Sequence, residues 1–113
     1  MNETPHFPKD VNGQILRQMY DAGDDIKQSR IVDFCFIFTD RERALAFVRD
    51  VYDENVETCL SWYREKARWQ VIVKRDMLPE HAKITAIESA LTSIAKKVGG
   101  MPDGWGCMRI PRK

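Results

Sequence analysis

The longest apolar stripe in the sequence lies between residues 80 and 98 and repeats with the period of an α-helix. Its members, separated by steps of three, four, three and four residues, are Ile84, Ile87, Leu91, Ile94 and Val98. This spacing places the side chains along one face, so we predict a helix over residues 80–98 that Gly99-Gly100 ends. A helix with one apolar face has to bury that face against another element. The rest of the chain must supply the surface that covers this stripe.

A covering surface is predicted by the alternation of residues 30–38. One side of this segment carries Val32, Phe34, Phe36 and Phe38, and the other carries Ile31, Asp33, Cys35 and Ile37. We therefore predict a strand with one aromatic core face and one mixed face. Burying Asp33 alone would be costly, so we expect it to face solvent or to pair with Arg68 or Lys74 on the neighbouring third strand.

Two further helices are indicated by capping residues and apolar spacing. The first is predicted over about residues 11–22, with Asp10 as its N-cap. The second is predicted over about residues 41–54, after Thr39 or Asp40. Its apolar residues, again three and four positions apart, are Ala44, Leu45, Val48, Val51 and Tyr52. We expect this second helix to lie against the phenylalanine face of the strand.

Two more strands follow the second helix. Residues 56–63 and 68–74 each alternate between apolar and mixed positions, as the strands of an antiparallel sheet covered on one side do. The polar connection Glu65-Lys66 has the size of a hairpin turn. We expect residues 76–79 to turn the chain into the long helix.

The segment after the long helix predicts a turn and a last strand. We interpret Pro102-Asp103-Gly104 as a turn that delivers Trp105 to the first position of that strand. Gly104 permits a positive φ, and Gly106 would let another backbone or ring approach closely. Trp105 is interpreted first as a structural latch across the core or the open sheet face, and second as an interface anchor.

The order helix, strand, helix, strand, strand, helix, strand predicts the fold class. After the leading helix it is the βαββαβ pattern of the ferredoxin-like sandwich, an α+β fold with a four-stranded antiparallel sheet and two helices on one face. An extra N-terminal helix precedes it. With 113 residues, the chain is expected to be one domain. Its parts would be a loose arm over residues 1–9, the leading helix over 10–23 and the ferredoxin-like core over 30–110.

Charge and hydropathy narrow the classes of partner. A formal charge of +1 argues against strong attraction to nucleic acid. A ferredoxin-like sheet that binds RNA stacks bases on open-face aromatic residues of its first and third strands. The open-face positions here, none of them aromatic, are Asp33, Cys35, Ile37, Arg68, Gln70 and Ile72. No apolar run reaches the about 18 residues of a membrane helix, and no signal peptide is recognisable. We expect a cytoplasmic protein without a nucleic-acid or membrane partner.

Residues with catalytic or metal-binding potential do not form a recognisable constellation. His6 and His81 have no ligand at metal-binding spacing, and Cys35, Cys59 and Cys107 have no short spacing. Phosphate loops, nucleophile elbows and triad orders are absent from the sequence. Acid pairs such as Asp24-Asp25, in the loop before the first strand, are expected to be solvated. We predict a protein that is not an enzyme and uses neither metal nor cofactor.

Protein binding is the remaining class of function. An aromatic residue combined with cations is the composition of many interface anchors. The residues of this kind are Tyr63, Arg64, Arg68 and Arg109. The candidate interface also includes the segment Asp103, Gly104, Trp105 and Gly106.

The last third of the chain resembles the regulator of ribonuclease activity B family. The resemblance is carried by residues 76–80, by Ser93-Ile94-Ala95-Lys96-Lys97 at the end of the long helix, and above all by Asp103-Gly104-Trp105-Gly106. It implies a small bacterial protein of ferredoxin-like fold that binds and inhibits ribonuclease E. Members that act on this enzyme are strongly acidic and carry an acidic tail, whereas this chain ends Arg109-Ile110-Pro111-Arg112-Lys113.

Two hypotheses for function follow. The leading one is a non-enzymatic regulator that binds another protein, a ribonuclease or its assembly being the first candidate. The alternative is a small-molecule-binding domain or a homo-oligomer, dimeric through its open sheet face. A ligand pocket on that face would be lined by Ile37, Cys59, Tyr63 and Ile72.

Overall fold

The computed structural model describes residues 5–54 and 56–113, and within them the chain forms three α-helices, one 3-10 turn and four strands. In chain order these are α1 (Val11–Asp21), β1 (Arg30–Phe38), α2 (Arg41–Asp50), β2 (Glu57–Tyr63), the 3-10 turn (Arg64–Lys66), β3 (Arg68–Met77), α3 (His81–Lys97) and β4 (Met101–Cys107). The predicted order of elements is confirmed. Residues 1–4 of the predicted N-terminal arm lie outside the described residues.

The four strands form one antiparallel sheet in the order β2-β3-β1-β4. β1 pairs along its whole length with β3, from Arg30 opposite Met77 to Phe38 opposite Trp69. β4 lies on the other side of β1, and β2 lies on the other side of β3. The prediction of an α+β fold with a four-stranded antiparallel sheet is therefore confirmed, and β2 and β4 are the two edges of that sheet.

The core lies between one face of the sheet and the helices. The sheet contributes fully buried side chains from its two central strands, namely Val32, Phe34, Phe36, Phe38, Val71 and Val73. The ring of Phe47, in α2, lies 5.0 Å from that of Phe36 and 5.2 Å from that of Phe38, centroid to centroid. Each such side chain contributes about 1.5–3 kcal/mol by leaving water. α2 therefore lies on the phenylalanine face, as predicted.

α3 covers the same face with its predicted stripe. Ile84 is fully buried and Leu91 nearly so, and the remaining members of the stripe are partly buried against the core. Ala95, which the stripe omits, is also fully buried. At the end of the helix, a Cβ on Gly100 would collide with the Phe38 ring, so the chain can pass that ring closely because this position is glycine.

α1 lies beside α3 and extends the helical layer. Its predicted N-cap is confirmed, because the Asp10 carboxylate accepts a hydrogen bond from the Gly13 N–H at 2.8 Å. Leu16 reaches the common core, and the Asn12 amide donates to Thr85 of α3 at 3.2 Å. The mixed face of the sheet stays open to solvent, with Ile31 49% exposed.

The ends of two predicted elements are wrong. α2 ends at Asp50 rather than near residue 54, and Tyr52, assigned to its apolar stripe, is 78% exposed. Phe47 packs in the core instead. β3 continues past the predicted residue 74 to Met77, because the first residues of β1 give it partners, Arg30 opposite Met77 among them. The expected turn at residues 76–79 therefore begins later.

The start of β4 is also wrongly predicted. β4 begins at Met101, so the Pro102-Asp103-Gly104 segment lies inside the strand instead of forming a turn before it. The turn is made by the glycines that end α3, of which Gly99 has a φ of 79°. The long helix therefore leads directly into the last strand.

Inside β4 the Asp103-Gly104 pair forms a β-bulge. Phe36 is opposite Pro102 and Phe34 is opposite Trp105, so two residues of β4 face a single residue of β1. Gly104 has a φ of 90°, which confirms the predicted positive φ. The close approach predicted at Gly106 is wrong, since a Cβ there would meet nothing within 4 Å.

Candidate interaction site

The open face of the sheet carries an ion pair that the sequence indicated. Asp33 on β1 accepts a hydrogen bond from Lys74 Nζ on β3 at 3.0 Å. The two residues are directly opposite in the β1–β3 ladder, which is why Lys74 and not Arg68 is the partner. The hydrogen bond raises the pKa of Lys74, because it stabilises the charged ammonium. Asp33 is therefore partly exposed on the open face of the sheet and paired with a cation there.

A second ion pair crosses this face. Lys66, in the 3-10 turn between β2 and β3, donates to the carboxylate of Asp103 in the bulge of β4. Because β1 lies between β3 and β4, the hairpin tip has to lie over the sheet for this contact to form. Ala67, with a left-handed φ of 50°, closes the tip. The hydrogen bond to Asp103 raises the pKa of Lys66.

Cys35 lies among these charges but is not an activated thiol. Burial raises its pKa, and the carboxylates of Asp33 and Asp103 raise it further. A thiol of this kind is almost wholly protonated at neutral pH and is a weak nucleophile. Cys35 and Cys59 both lie opposite Ile72 of β3, in the two ladders on either side of it. Two strand spacings of about 4.8 Å each separate them, so they cannot form a disulfide.

A groove of about 700 Å³ lies on the open face near β4. Its lining includes Ile31, Asp33, Cys35, Glu57, Lys74 and Met108. The residues predicted to line a pocket here, Ile37, Cys59, Tyr63 and Ile72, are not among those that line this groove. Asp33 and Lys74 pair with each other and Asp103 pairs with Lys66, so most charged groups of the groove are already used within the fold and offer little polar chemistry to a small ligand.

Trp105 faces the core side of β4. It lies opposite Phe34 and packs, partly buried, against the core. Its Nε1–H donates to the Asn12 Oδ1 at 2.9 Å, and the Asn12 amide in turn donates to Glu88 of α3 at 3.2 Å. One indole therefore links β4 with α1 and α3. Because its polar group is used inside the fold, the latch interpretation is favoured over the interface anchor.

The other candidate interface residues fall into two places. Tyr63 lies opposite Arg68 in the last pair of the β2–β3 ladder, and Arg64 begins the 3-10 turn beside them. The Lys66 ammonium lies 5.7 Å from the centre of the Tyr63 ring. We call Tyr63, Arg64, Lys66 and Arg68 the hairpin surface. Through Lys66 it also meets Asp103.

Arg109 does not belong to the hairpin surface. Its guanidinium donates to the carbonyl of Ala22, just after α1, at 3.2 Å. It therefore helps to hold the C-terminal segment against the end of that helix. Gly104 and Gly106 lie along β4, on the groove rather than on the hairpin surface.

Sequence reasoning missed a buried ion pair beneath the C-terminal segment. Asp24, expected to be solvated, is 1% exposed, and its carboxylate accepts a hydrogen bond from Arg30 Nη1 at 2.8 Å. The error arose because the C-terminal segment covers this loop: Asp25 N–H donates to Ile110 at 2.6 Å, and Arg112 N–H donates to Gly23 at 2.8 Å. A signal existed, since Arg30 is in phase with the core-facing residues of β1.

Comparison with known proteins gives one family. The family model described as RraB, regulator of ribonuclease activity B, matches residues 9–107. The match spans every helix and strand described above, from α1 to β4. A search of the curated proteins finds no significant match. Among the described residues, no helix is long and apolar enough to cross a membrane.

Proposed function

The chain belongs to the RraB family of regulators of ribonuclease activity, and we propose that it acts by binding a protein, a ribonuclease or a member of its assembly. The observation that carries this proposal is the family match, which spans residues 9–107 and hence the whole fold. A regulatory family rather than a catalytic one supports a mechanism of binding without chemistry. The raised pKa of Cys35, the thiol nearest the paired charges, agrees with that mechanism.

We further propose the hairpin surface as the contact with the partner. Arg64 and Arg68 are exposed there, and the Lys66 ammonium lies 5.7 Å from the centre of the Tyr63 ring. Exposed arginines around an aromatic ring suit a partner segment that carries carboxylates. The family's acidic members would favour a basic partner surface, so this chain would bind a different, acidic part of the ribonuclease assembly.

The finer fold assignment is part of the same proposal. The strand order β2-β3-β1-β4, with α2 and α3 packed on one face, supports a ferredoxin-like sandwich to which α1 is added. We take the chain as one domain with a single core, since buried residues of all three helices join the same cluster. Binding would then leave the core intact and use side chains on the open face and hairpin.

A cleavage assay tests the proposal. Purified chain added to the ribonuclease of the same cell is expected to change the rate of RNA cleavage, with saturation as the chain is titrated. Arg64→Glu combined with Arg68→Glu should raise the half-saturating concentration of the chain about tenfold or more, since each reversed charge repels an acidic partner. The matched control is Arg17→Glu, an exposed charge reversal on α1 that should behave as wild type.

Two negative results have different meanings. If the wild-type chain neither changes cleavage nor retains any ribonuclease component in a pull-down, the proposed function is wrong. If the wild-type chain changes cleavage and retains a ribonuclease component, but the hairpin double variant behaves in the same way, the proposal of a protein partner is supported and the hairpin surface is not its binding site.

A further inference from the structure

The β2 edge of the sheet is open and regular. Among the described residues β2 pairs with β3 alone, and its ladder runs from Glu57 to Tyr63 without a register shift. The strand contains no proline and no glycine, and Glu57 is its one charged residue. Half of its backbone N–H and C=O groups therefore point away from the sheet, ready to pair with another strand.

The opposite edge does not offer this. In β4, Pro102 has no N–H to donate, and the bulge at Asp103-Gly104 breaks the regular spacing of the backbone groups. Lys66 also binds Asp103 at this edge. Natural sheets protect their edges by these means, and here one edge is protected while the other is left unprotected.

The two ends of β2 carry opposite charges. Glu54 and Glu57 are exposed at its beginning, and the exposed residues after its end, Arg64, Glu65, Lys66 and Arg68, carry a net positive charge. A second copy of β2, placed antiparallel about a twofold axis at Leu60, would bring Glu57 opposite Tyr63 of that copy and next to its Arg64. The symmetry creates this acid–base contact twice, so the edge is complementary to itself.

Exposed aromatic side chains follow the same symmetry. Trp62 is 50% exposed and packs edge-on against Trp69, with 5.4 Å between ring centroids. In the twofold arrangement Trp62 lies opposite Thr58 of the second copy. Thr58 is near the start of β2, and the exposed Tyr52 comes before that start in the sequence. Pairing would therefore remove large apolar side chains from water as well as satisfy the backbone groups.

We propose that two copies of the chain associate through β2, antiparallel about a twofold axis at Leu60, and so form one continuous eight-stranded sheet. The occupant of the edge is a second copy rather than an extended segment of another protein, because the charges at the two ends of β2 complement those of its own antiparallel image. The proposal does not require the ribonuclease partner; because Tyr63 and Arg64 also belong to the hairpin surface, association is measured on the purified chain alone.

Charge reversal tests the register as well as the association. Sedimentation equilibrium over a range of protein concentrations should give a mass approaching twice the 13.2 kDa of the chain. Glu57→Lys and Arg64→Glu should each weaken self-association about tenfold or more, and the double variant should restore most of it. Met101→Ser, on the exposed β4 edge, is the matched control and should leave association unchanged. Circular dichroism and thermal melting confirm that each variant is folded.

A thiol placed on the strand gives a second readout. The proposed register sets residue 61 of one copy opposite Cys59 of the other, so oxidised Ser61→Cys should form a covalent dimer joined between these two positions. Ser93→Cys, exposed on α3, is the control and should form no covalent dimer under the same conditions.

A mass of one chain at every concentration overturns the proposal and leaves the β2 edge to another partner. So does a dimer that the two charge reversals leave intact, or one that Met101→Ser disrupts. A Ser61→Cys dimer linked through residues other than 59 and 61 overturns the register.

Discussion

The two edge strands of the sheet are held in very different ways. β4 is tied to the fold on both sides of the sheet, by the Trp105–Asn12 hydrogen bond on the core side and by the Asp103–Lys66 ion pair on the open face. β2 pairs with β3, packs Leu60 against the core and leaves Trp62 half-exposed. An edge that is anchored in this way is part of the folded structure, whereas an edge without such anchors is available for association.

The anchors of β4 join the two ends of the chain. Trp105 and Asn12 are 93 residues apart, and Arg30 donates to the carbonyl of Met108, which is 78 residues away. Contacts over such distances in sequence form when the whole fold closes, so their loss should reduce global stability. Substitutions near β4 should therefore change unfolding, and substitutions on β2 should change association.

The largest effect is expected at the buried pair beside the end of β4. Arg30→Met removes the cation of a pair that is almost wholly buried and leaves the Asp24 carboxylate without it. Breaking a buried pair from one side costs about 3–5 kcal/mol of unfolding free energy. Urea denaturation followed by circular dichroism measures this loss of unfolding free energy.

The double variant Asp24→Leu with Arg30→Met should recover much of the lost stability, because it also removes the unpaired carboxylate. A loss below about 1 kcal/mol for Arg30→Met alone would contradict the prediction.

The next effect is expected at Trp105. Trp105→Phe keeps an aromatic ring against the core and removes the Nε1–H that Asn12 accepts. We expect a loss of about 1–2 kcal/mol, the usual consequence of leaving a partly buried acceptor without its donor. Thermal melting of Trp105→Phe, Asn12→Ala and their combination gives the coupling between the two side chains. Strictly additive losses would mean that the hydrogen bond contributes nothing.

A smaller, pH-dependent effect is expected at α1, which supports the β4 edge. The Gly13 N–H and then His81, whose Nε2 lies 2.8 Å from Asp10 Oδ2, lower the pKa of the Asp10 carboxyl below its usual 3.8. A lowered pKa in the folded state gives stability above pH 3.8 that is lost as the pH falls through the folded value. Asp10→Asn keeps a capping oxygen, so its stability should depend less steeply on pH across that acidic range. Parallel slopes for the two proteins would refute this.

The smallest effect on folding is expected on β2. Ser61→Lys is an exposed substitution on an edge with no anchor, so the unfolding free energy of the monomer should change by less than about 0.5 kcal/mol. Self-association should be weakened, because the two introduced lysines would be diagonal neighbours across the twofold axis, where like charges repel. Denaturation at low protein concentration and sedimentation equilibrium measure the two effects separately. A large loss of monomer stability would show that β2 is as much a structural edge as β4.

Local patterns were sufficient where a residue's neighbours are close in sequence. The alternation of residues 30–38 predicted β1 with its observed bounds, and the stripe of α3 predicted the buried Ile84 and Leu91. The partner of Asp33 was predicted to be Arg68 or Lys74, because the alternation of the neighbouring strand limits which of its residues lie on the same face as Asp33. Predicted ends were less accurate because a strand continues for as long as a neighbour supplies hydrogen bonds, as β3 does to Met77.

The contacts of the candidate interface residues were harder to predict than the fold. Tyr63, Arg64 and Arg68 could be grouped from their closeness in sequence, but Lys66 meets Asp103 only because the hairpin tip lies over β1. Trp105 was predicted to be a structural latch or an interface anchor, and its side of the sheet was decided by the bulge that precedes it. Nothing local to Asp24 indicated that the C-terminal segment would cover it.

What the sequence by itself determined is the set of elements, the core faces of β1 and α3, and the family, because periodicity and short motifs depend on neighbouring residues. The tertiary structure decided how each edge strand of the sheet is protected. β4 contains a bulge and is hydrogen-bonded to α1, whereas β2 is regular and its outer edge is unprotected. Edge character depends on which strands lack a neighbour and on side chains that meet across the sheet. Both follow from strand order and chain closure, which contacts between distant residues create.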